Sequence, residues 1–246
     1  MSTFRDNLLT GRVALVSGGT SGIGAAIGDA LADSGAVVTV TGATAEEAEA
    51  ARSRPDFRGR DALVLDVRNA AAIAAVVANL PRLDIVINAA GMIRRDAEHD
   101  PAIFADVLDV NLTGAMRLCT AARPLLAKST GCIVNIASIL SFFGGGRVPG
   151  YSASKGGLAQ LTKSLAIAYA QDRIRVNAVA PGWIATALTQ VLQDDHERSA
   201  GIIARTPLGR WGTPGDVAGT VLFLCSPAAE FVTGAVIPVD GGYLVA

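Results

Sequence analysis

The chain has 246 residues, half of them apolar and 17% charged, with 21 basic against 22 acidic side chains. That length suits one domain of ordinary size, which buries roughly 70–75% of its unfolded surface and needs neither disulfides nor metal to fold. The balanced charge excludes a nucleic-acid binder, the apolar content excludes disorder, and no apolar run approaches the roughly 20 residues that span a bilayer.

The N-terminus carries Arg5 and Asp6 with no charged-then-apolar leader, which makes a cytoplasmic protein the expectation. Short Val- and Ile-rich runs bounded by Gly, Asp or Asn predict strands over 13–17, 37–41, 62–65, 85–88, 133–137, 175–179 and 235–239. They read as strands buried on both faces of a parallel sheet. Between them, helical patterns cover 22–34, 44–52, 70–80, 101–128, 152–171 and 214–225. This alternation implies a single doubly wound α/β domain over 1–246, with a seven-stranded parallel sheet. The polar stretch 181–213 has no obvious strand and follows a strand's carboxyl end, so about 183–212 reads as a small substrate lid. Cys119, Cys132 and Cys225 form no C-x-x-C pair and read as buried free thiols. His99 and His196 are the only histidines, each in a polar, acidic stretch, so neither a zinc site nor a Ser-His-Asp triad is expected.

The first predicted strand runs into Gly18-x-x-x-Gly22-x-Gly24 and then a helix. Glycine there permits a tight turn and close approach of backbone N–H groups to a pyrophosphate, which the helix N-terminus also favours. Tyr151 and Lys155 are four residues apart and share one helix face. An ammonium about 4 Å from a phenolate stabilises it by roughly 4 kcal/mol at an effective dielectric of 20, which brings a tyrosine towards working pH, less what burial takes back. Such a pair can act as a general acid and base.

With Asp66, Asn88-Ala89-Ala90-Gly91, Asn111, Ser138 and Pro181-Gly182 in the same order, the chain resembles a short-chain dehydrogenase/reductase along its whole length. The resemblance implies a Rossmann fold and hydride transfer between a nicotinamide cofactor and an alcohol or ketone carbon. Tyr151 would exchange the hydroxyl proton, Lys155 would lower its pKa and hold the nicotinamide ribose, Ser138 would orient the substrate oxygen, and Asn111 would hold a relaying water. Gly18, Thr20, Ser21, Gly22, Ile23, Gly24, Asp66, Val67, Asn88, Ala89, Ala90, Gly91, Tyr151, Lys155, Pro181, Gly182, Ile184 and Thr186 would border the dinucleotide. Ala89 departs from the family's commoner second asparagine.

The second strand ends Thr41-Gly42-Ala43-Thr44, without the acidic residue that binds a ribose 2′-OH or the arginine that binds a 2′-phosphate. Nothing there neutralises a phosphate, so NAD is favoured over NADP; Glu46 and Glu47 read as a solvated helix face. The stretches at 93–95, 140–149, 189–190, 198–199 and 209–212 are similar to the sugar-acid members, the 2-dehydro-3-deoxy-D-gluconate 5-dehydrogenases and 2-deoxy-D-gluconate 3-dehydrogenases. A sugar acid needs a cation for its carboxylate, and Arg147 and Arg94 are the candidates. With Ser138 and Tyr151, Trp183 and Gln190 are expected in the substrate pocket. The alternative is a 3-oxoacyl-thioester (acyl-carrier-protein) reductase, which would want NADPH. The resemblance also implies a homotetramer, through the helices carrying Asn111 and Tyr151 and through Gly241-Gly242-Tyr243.

Overall fold

The computed structural model describes residues 7–55, 57 and 61–246. One sheet of seven parallel strands has the order β3-β2-β1-β4-β5-β6-β7. The strands are β1 (Val13–Ser17), β2 (Val37–Gly42), β3 (Asp61–Val64), β4 (Ile85–Asn88), β5 (Cys132–Ile136), β6 (Arg175–Pro181) and β7 (Val236–Val239). The order reverses between β1 and β4, and a crevice at that switch point is where open α/β sheets bind ligands. Ser17 pairs in register with Asn88, and Asn88 with Asn135, so three polar side chains mark the carboxyl edge there.

The helices are α1 (Gly22–Asp33), α2 (Ala45–Arg52), α3 (Ala70–Ala78), α4 (Pro101–Leu108), α5 (Gly114–Ser129), α6 (Pro149–Ala168), α7 (Gln190–Gln193), α8 (His196–Arg205) and α9 (Pro214–Cys225). Two apolar layers sandwich the sheet. One joins Ile27, Leu31, Val38, Val40 and Val221, from α1, β2 and α9; the other joins Leu118, Leu126, Ile133, Leu165 and Val176, from α5, β5, α6 and β6. Cys119, Cys132 and Cys225 are free and buried, as their spacing predicts.

Two expectations change, and the polar stretch after β6 gains helices that the sequence reading did not assign. Burial on both faces holds for β4 and β5 but not for β3 and β7, which lie at the edges and leave most positions part-exposed or exposed. β7 accordingly tolerates Pro238, which cannot donate to a ladder. The single helix predicted over 101–128 is two helices joined by a π-turn, Asp109–Thr113, and Asn111 sits in it. The polar stretch after β6 is not structureless: α7 and α8 form there, and Asp195 caps α8 by accepting from the Arg198 N–H at 3.1 Å. Among the described residues, no helix is long and apolar enough to cross a membrane.

Candidate active site

A cavity of about 560 Å³ opens at the carboxyl edge of the sheet. Gly18, Thr20, Ser21, Gly22, Ile23 and Gly24 form one wall, and Asp66, Val67, Ala89, Ala90 and Gly91 the next. Ser138, Tyr151, Lys155, Pro181, Gly182, Ile184 and Thr186 close it. The structure thus brings these residues together around one cavity.

The glycine wall is set by close packing. A Cβ on Gly18 would lie 2.5 Å from the Ala90 backbone, and one on Gly24 would lie 2.1 Å from the Gly18 carbonyl oxygen. The first turn of α1 points its N–H groups at the cavity edge, and Ser21 before it makes no side-chain cap. An uncapped helix N-terminus behind a glycine turn is a place for an anion. This wall fits a dinucleotide pyrophosphate.

Deeper in, Lys155 is 4% exposed and donates from Nζ to the Ile136 carbonyl at 2.6 Å. Burial pulls its ammonium down to about 8. The ammonium sits 5.5 Å from the centre of the Tyr151 ring. Burial holds the Tyr151 phenol above its ordinary value and outweighs the influence of the neighbouring Ser138 hydroxyl, which favours the ionised form. The expectation of a net lowering is therefore corrected for the protein alone, where desolvation exceeds the stabilisation. Ser138 is itself positioned by the 3-10 turn Ile139–Ser141, accepting at Oγ from the Leu140 N–H at 3.1 Å.

Asn111 lies behind this group rather than in the cavity wall. Its Oδ1 accepts from the Met92 N–H at 2.8 Å, while its Nδ2 donates to the Met92 carbonyl at 2.9 Å and to Ser154 Oγ at 3.1 Å. The π-turn's wider ring suits such a local demand. Gly91 lies beside both Asn111 and Lys155: a Cβ there would be 3.5 Å from Asn111 Oδ1 and 3.7 Å from Lys155 Nζ. Asn88 turns inward. Its Nδ2 donates to Asn135 Oδ1 at 2.8 Å, and Asn135 Nδ2 donates to Thr162 Oγ1 at 2.8 Å, so its side chain ties β4 to β5 and α6 instead of facing the cavity. Asp66 is in the wall, but Arg68 already holds its carboxylate and keeps it below the usual carboxylate range.

The expected substrate residues divide. Both arginines are exposed, but Arg94 lines the cavity, whereas Arg147 makes a two-pronged ion pair with Asp96. Gln190 is exposed, and its Nε2 donates to Asp194 Oδ1 at 2.8 Å. Trp183 lines a second cavity, with its ring edge-on to Trp211 and Tyr243 at 6.0 and 6.2 Å. Arg147, Gln190 and Trp183 are thus not brought to the Tyr151 cavity. Three residues that sequence reasoning did not place there are: Met92, Leu188 and Glu47. Glu47 is the third residue of α2, and its Oε2 accepts from the Ala43 N–H at 2.7 Å, which folds its carboxylate back over the turn after β2. The spacing Thr44-x-x-Glu47 is the available sequence signal, since Thr44 caps α2 through the Glu47 N–H at 3.2 Å.

Residues 18–244 match the family model described as enoyl-(acyl carrier protein) reductase. The chain belongs to the short-chain dehydrogenase/reductase family. It is similar to the 2-dehydro-3-deoxy-D-gluconate 5-dehydrogenase of Bacillus subtilis, at 42% identity over 96% of each chain. The enzyme of that description from Pseudoalteromonas atlantica is also 42% identical, over 96% of this chain and 97% of its own. The fold superimposes on a gluconate 5-dehydrogenase from Burkholderia cenocepacia, solved with NADP and tartrate, with a TM-score of 0.90 and 33% identity over 98% of each chain. This short-chain dehydrogenase/reductase is an NAD(P)-dependent oxidoreductase acting on alcohol carbons.

Proposed function

We propose that the chain interconverts a secondary alcohol and a ketone of a keto-deoxy sugar acid, with NAD as its preferred cofactor. The observation that carries this reading is the Ser138–Tyr151–Lys155 group in one cavity with the glycine wall. The full-length likeness to sugar-acid dehydrogenases supports it over an acyl-thioester reductase.

Gly18, Gly22 and Gly24 would seat the dinucleotide's pyrophosphate against α1, and Val67, Ala90, Ile184 and Thr186 would flank it. When bound, the nicotinamide supplies the carbon that takes or gives the hydride. Ser138 Oγ orients the substrate oxygen and donates to it as charge develops there. Tyr151 Oη takes the hydroxyl proton in oxidation and returns it in reduction. The Lys155 ammonium, 5.5 Å from the centre of the Tyr151 ring, favours negative charge as it develops on the phenol. Asn111 holds the Met92 backbone and Ser154 in place behind the pair. The segment carrying α7 and α8 acts as the lid. Arg94 is the carboxylate clamp, aided by Arg95, which is half-buried; neither forms an ion pair among the described residues.

Preference for NAD rests on Glu47. Its carboxylate sits over Gly42 and Ala43, where an adenosine ribose would lie, and like charge repels a 2′-phosphate. Assembly as a homotetramer in the cytoplasm is part of the same proposal, supported by family resemblance; equilibrium sedimentation checks it.

Turnover measured by nicotinamide absorbance against a panel of sugar acids, with NAD(H) and NADP(H) in parallel, tests the reading. Rapid turnover of 2-dehydro-3-deoxy-D-gluconate or its 5-keto product with NAD(H) supports it. Silence there, together with NADPH-dependent reduction of acetoacetyl thioesters, overturns both the substrate and the cofactor assignment.

A further inference from the structure

Tyr151 is the third residue of α6, and the first N–H groups of a helix have no acceptor within it. Val148, which precedes Pro149, supplies no side-chain cap. Glu98, from the 3-10 turn Ala97–His99, takes that place across 53 residues of sequence. Its Oε2 accepts from the Tyr151 N–H at 2.7 Å, and its Oε1 accepts from the Arg94 N–H at 2.7 Å. The side chain is 1% exposed and forms no ion pair among the described residues. Gly150 makes room for it: a Cβ there would lie 3.3 Å from both Glu98 Oε2 and the Phe104 ring.

A carboxylate buried this fully is costly unless its oxygens are satisfied. Two backbone N–H groups and the positive end of α6 satisfy it. The two N–H groups belong to the loop that carries Arg94 and to the residue whose phenol reacts. We propose that Glu98 is a positioning residue of this enzyme, a helix cap supplied from outside α6 that locks the substrate-side loop at 92–96 to the catalytic tyrosine. This rests on the reading of Tyr151 as the proton-exchanging group.

The charge of Glu98 also acts on the phenol. The charged groups around Tyr151 are Lys155 from α6, Glu98 from the turn, and Arg94 and Arg95 from the loop after β4. Of these, Glu98 opposes ionisation of the phenol, because a phenolate beside a carboxylate repeats the same charge. A residue with a merely structural role would leave that ionisation where it was.

The test compares Glu98→Gln and Glu98→Asp with the wild type in kcat, in NADH affinity by fluorescence, and in the pH profile of alcohol oxidation. Gln keeps the size and removes the charge, while its amide nitrogen opposes one of the two N–H donors. The expected result is a fall in kcat of about 10- to 100-fold, NADH affinity within about twofold, and a Tyr151 limb moved to lower pH by about half a unit or more. Asp keeps the charge but is too short to reach both donors, so kcat falls without that movement. Either variant retaining kcat within about twofold overturns the proposal, as does a Gln variant whose limb does not move. Tyr151→Phe is measured alongside: if it still turns over, it is the assignment of Tyr151 that has failed, and the effect of Glu98 on kcat is then judged separately.

Discussion

A Cβ added to Gly24 would come within 2.1 Å of a backbone oxygen, whereas one added to Gly201 or Gly209, in the segment after β6, would meet nothing within 4 Å. The same contrast runs through the polar groups. On the sheet side, Lys155, Asn111 and Ser138 are buried and hydrogen-bonded to backbone groups. In the segment after β6, Gln190, Arg198 and Arg210 are exposed and paired with neighbouring acids at short sequence separation. One wall is held by steric exclusion and buried polar bonds, both expensive to disturb. The segment after β6 is held by solvent-screened pairs, each contributing little to stability. The geometry needed for proton and hydride transfer belongs on the first, and a surface that must admit a substrate belongs on the second.

The largest expected effect tests the first wall at its centre. Tyr151→Phe should lower kcat by on the order of 10²–10⁴ while NADH affinity, read by fluorescence titration, stays within about threefold. Next is Gly24→Ala, which forces Gly18 to move. An overpacking cost of roughly 1–3 kcal/mol predicts a loss of NADH affinity of about 10- to 100-fold, measured in the same titration.

Lys155→Met separates catalysis from stability. Burial depresses the folded-state value to about 8 from an ordinary 10.5, so between those limits the unfolded chain binds more protons than the folded one. Stability on account of this group therefore rises as pH climbs from about 8 to 10.5, and its burial is fully destabilising below that window. The variant should lose turnover yet melt at least about 2 °C higher at pH 7, with the gain shrinking towards pH 10 in a calorimetric series. A lower melting temperature at pH 7 would mean that the bond to the Ile136 carbonyl outweighs the desolvation.

Smaller effects belong to the arginines outside the glycine wall. Arg94→Ala should raise KM for the sugar acid by about 10-fold with kcat little changed, the pattern of lost ground-state binding. Arg147→Ala breaks only the exposed pair with Asp96, so KM within about twofold and little change in stability are expected. A large KM effect at Arg147 with none at Arg94 would reverse the division between the two arginines.

The first wall was also the legible one. A close-packed turn admits only glycine, so Gly18, Gly22 and Gly24 announce it, and the four-residue spacing of Tyr151 and Lys155 follows from helix geometry alone. The substrate-side arginines were not legible, because an arginine serves equally well in an ion pair or on a substrate. Arg94 and Arg147 looked alike until Asp96 was seen to hold one of them. The π-turn at Asp109–Thr113 is invisible to apolar periodicity, which continues through it from α4 into α5.

The sequence by itself determined the alternation of strands and helices, the parallel sheet and the residues around the glycine turn, because these depend on local periodicity and on steric limits that few residue types satisfy. Only the tertiary structure decided what Asn88, Glu47, Glu98 and Arg147 do. Each is a polar group whose partner lies on another element or turns back on its own, and which partner it meets is settled by packing, not by spacing along the chain.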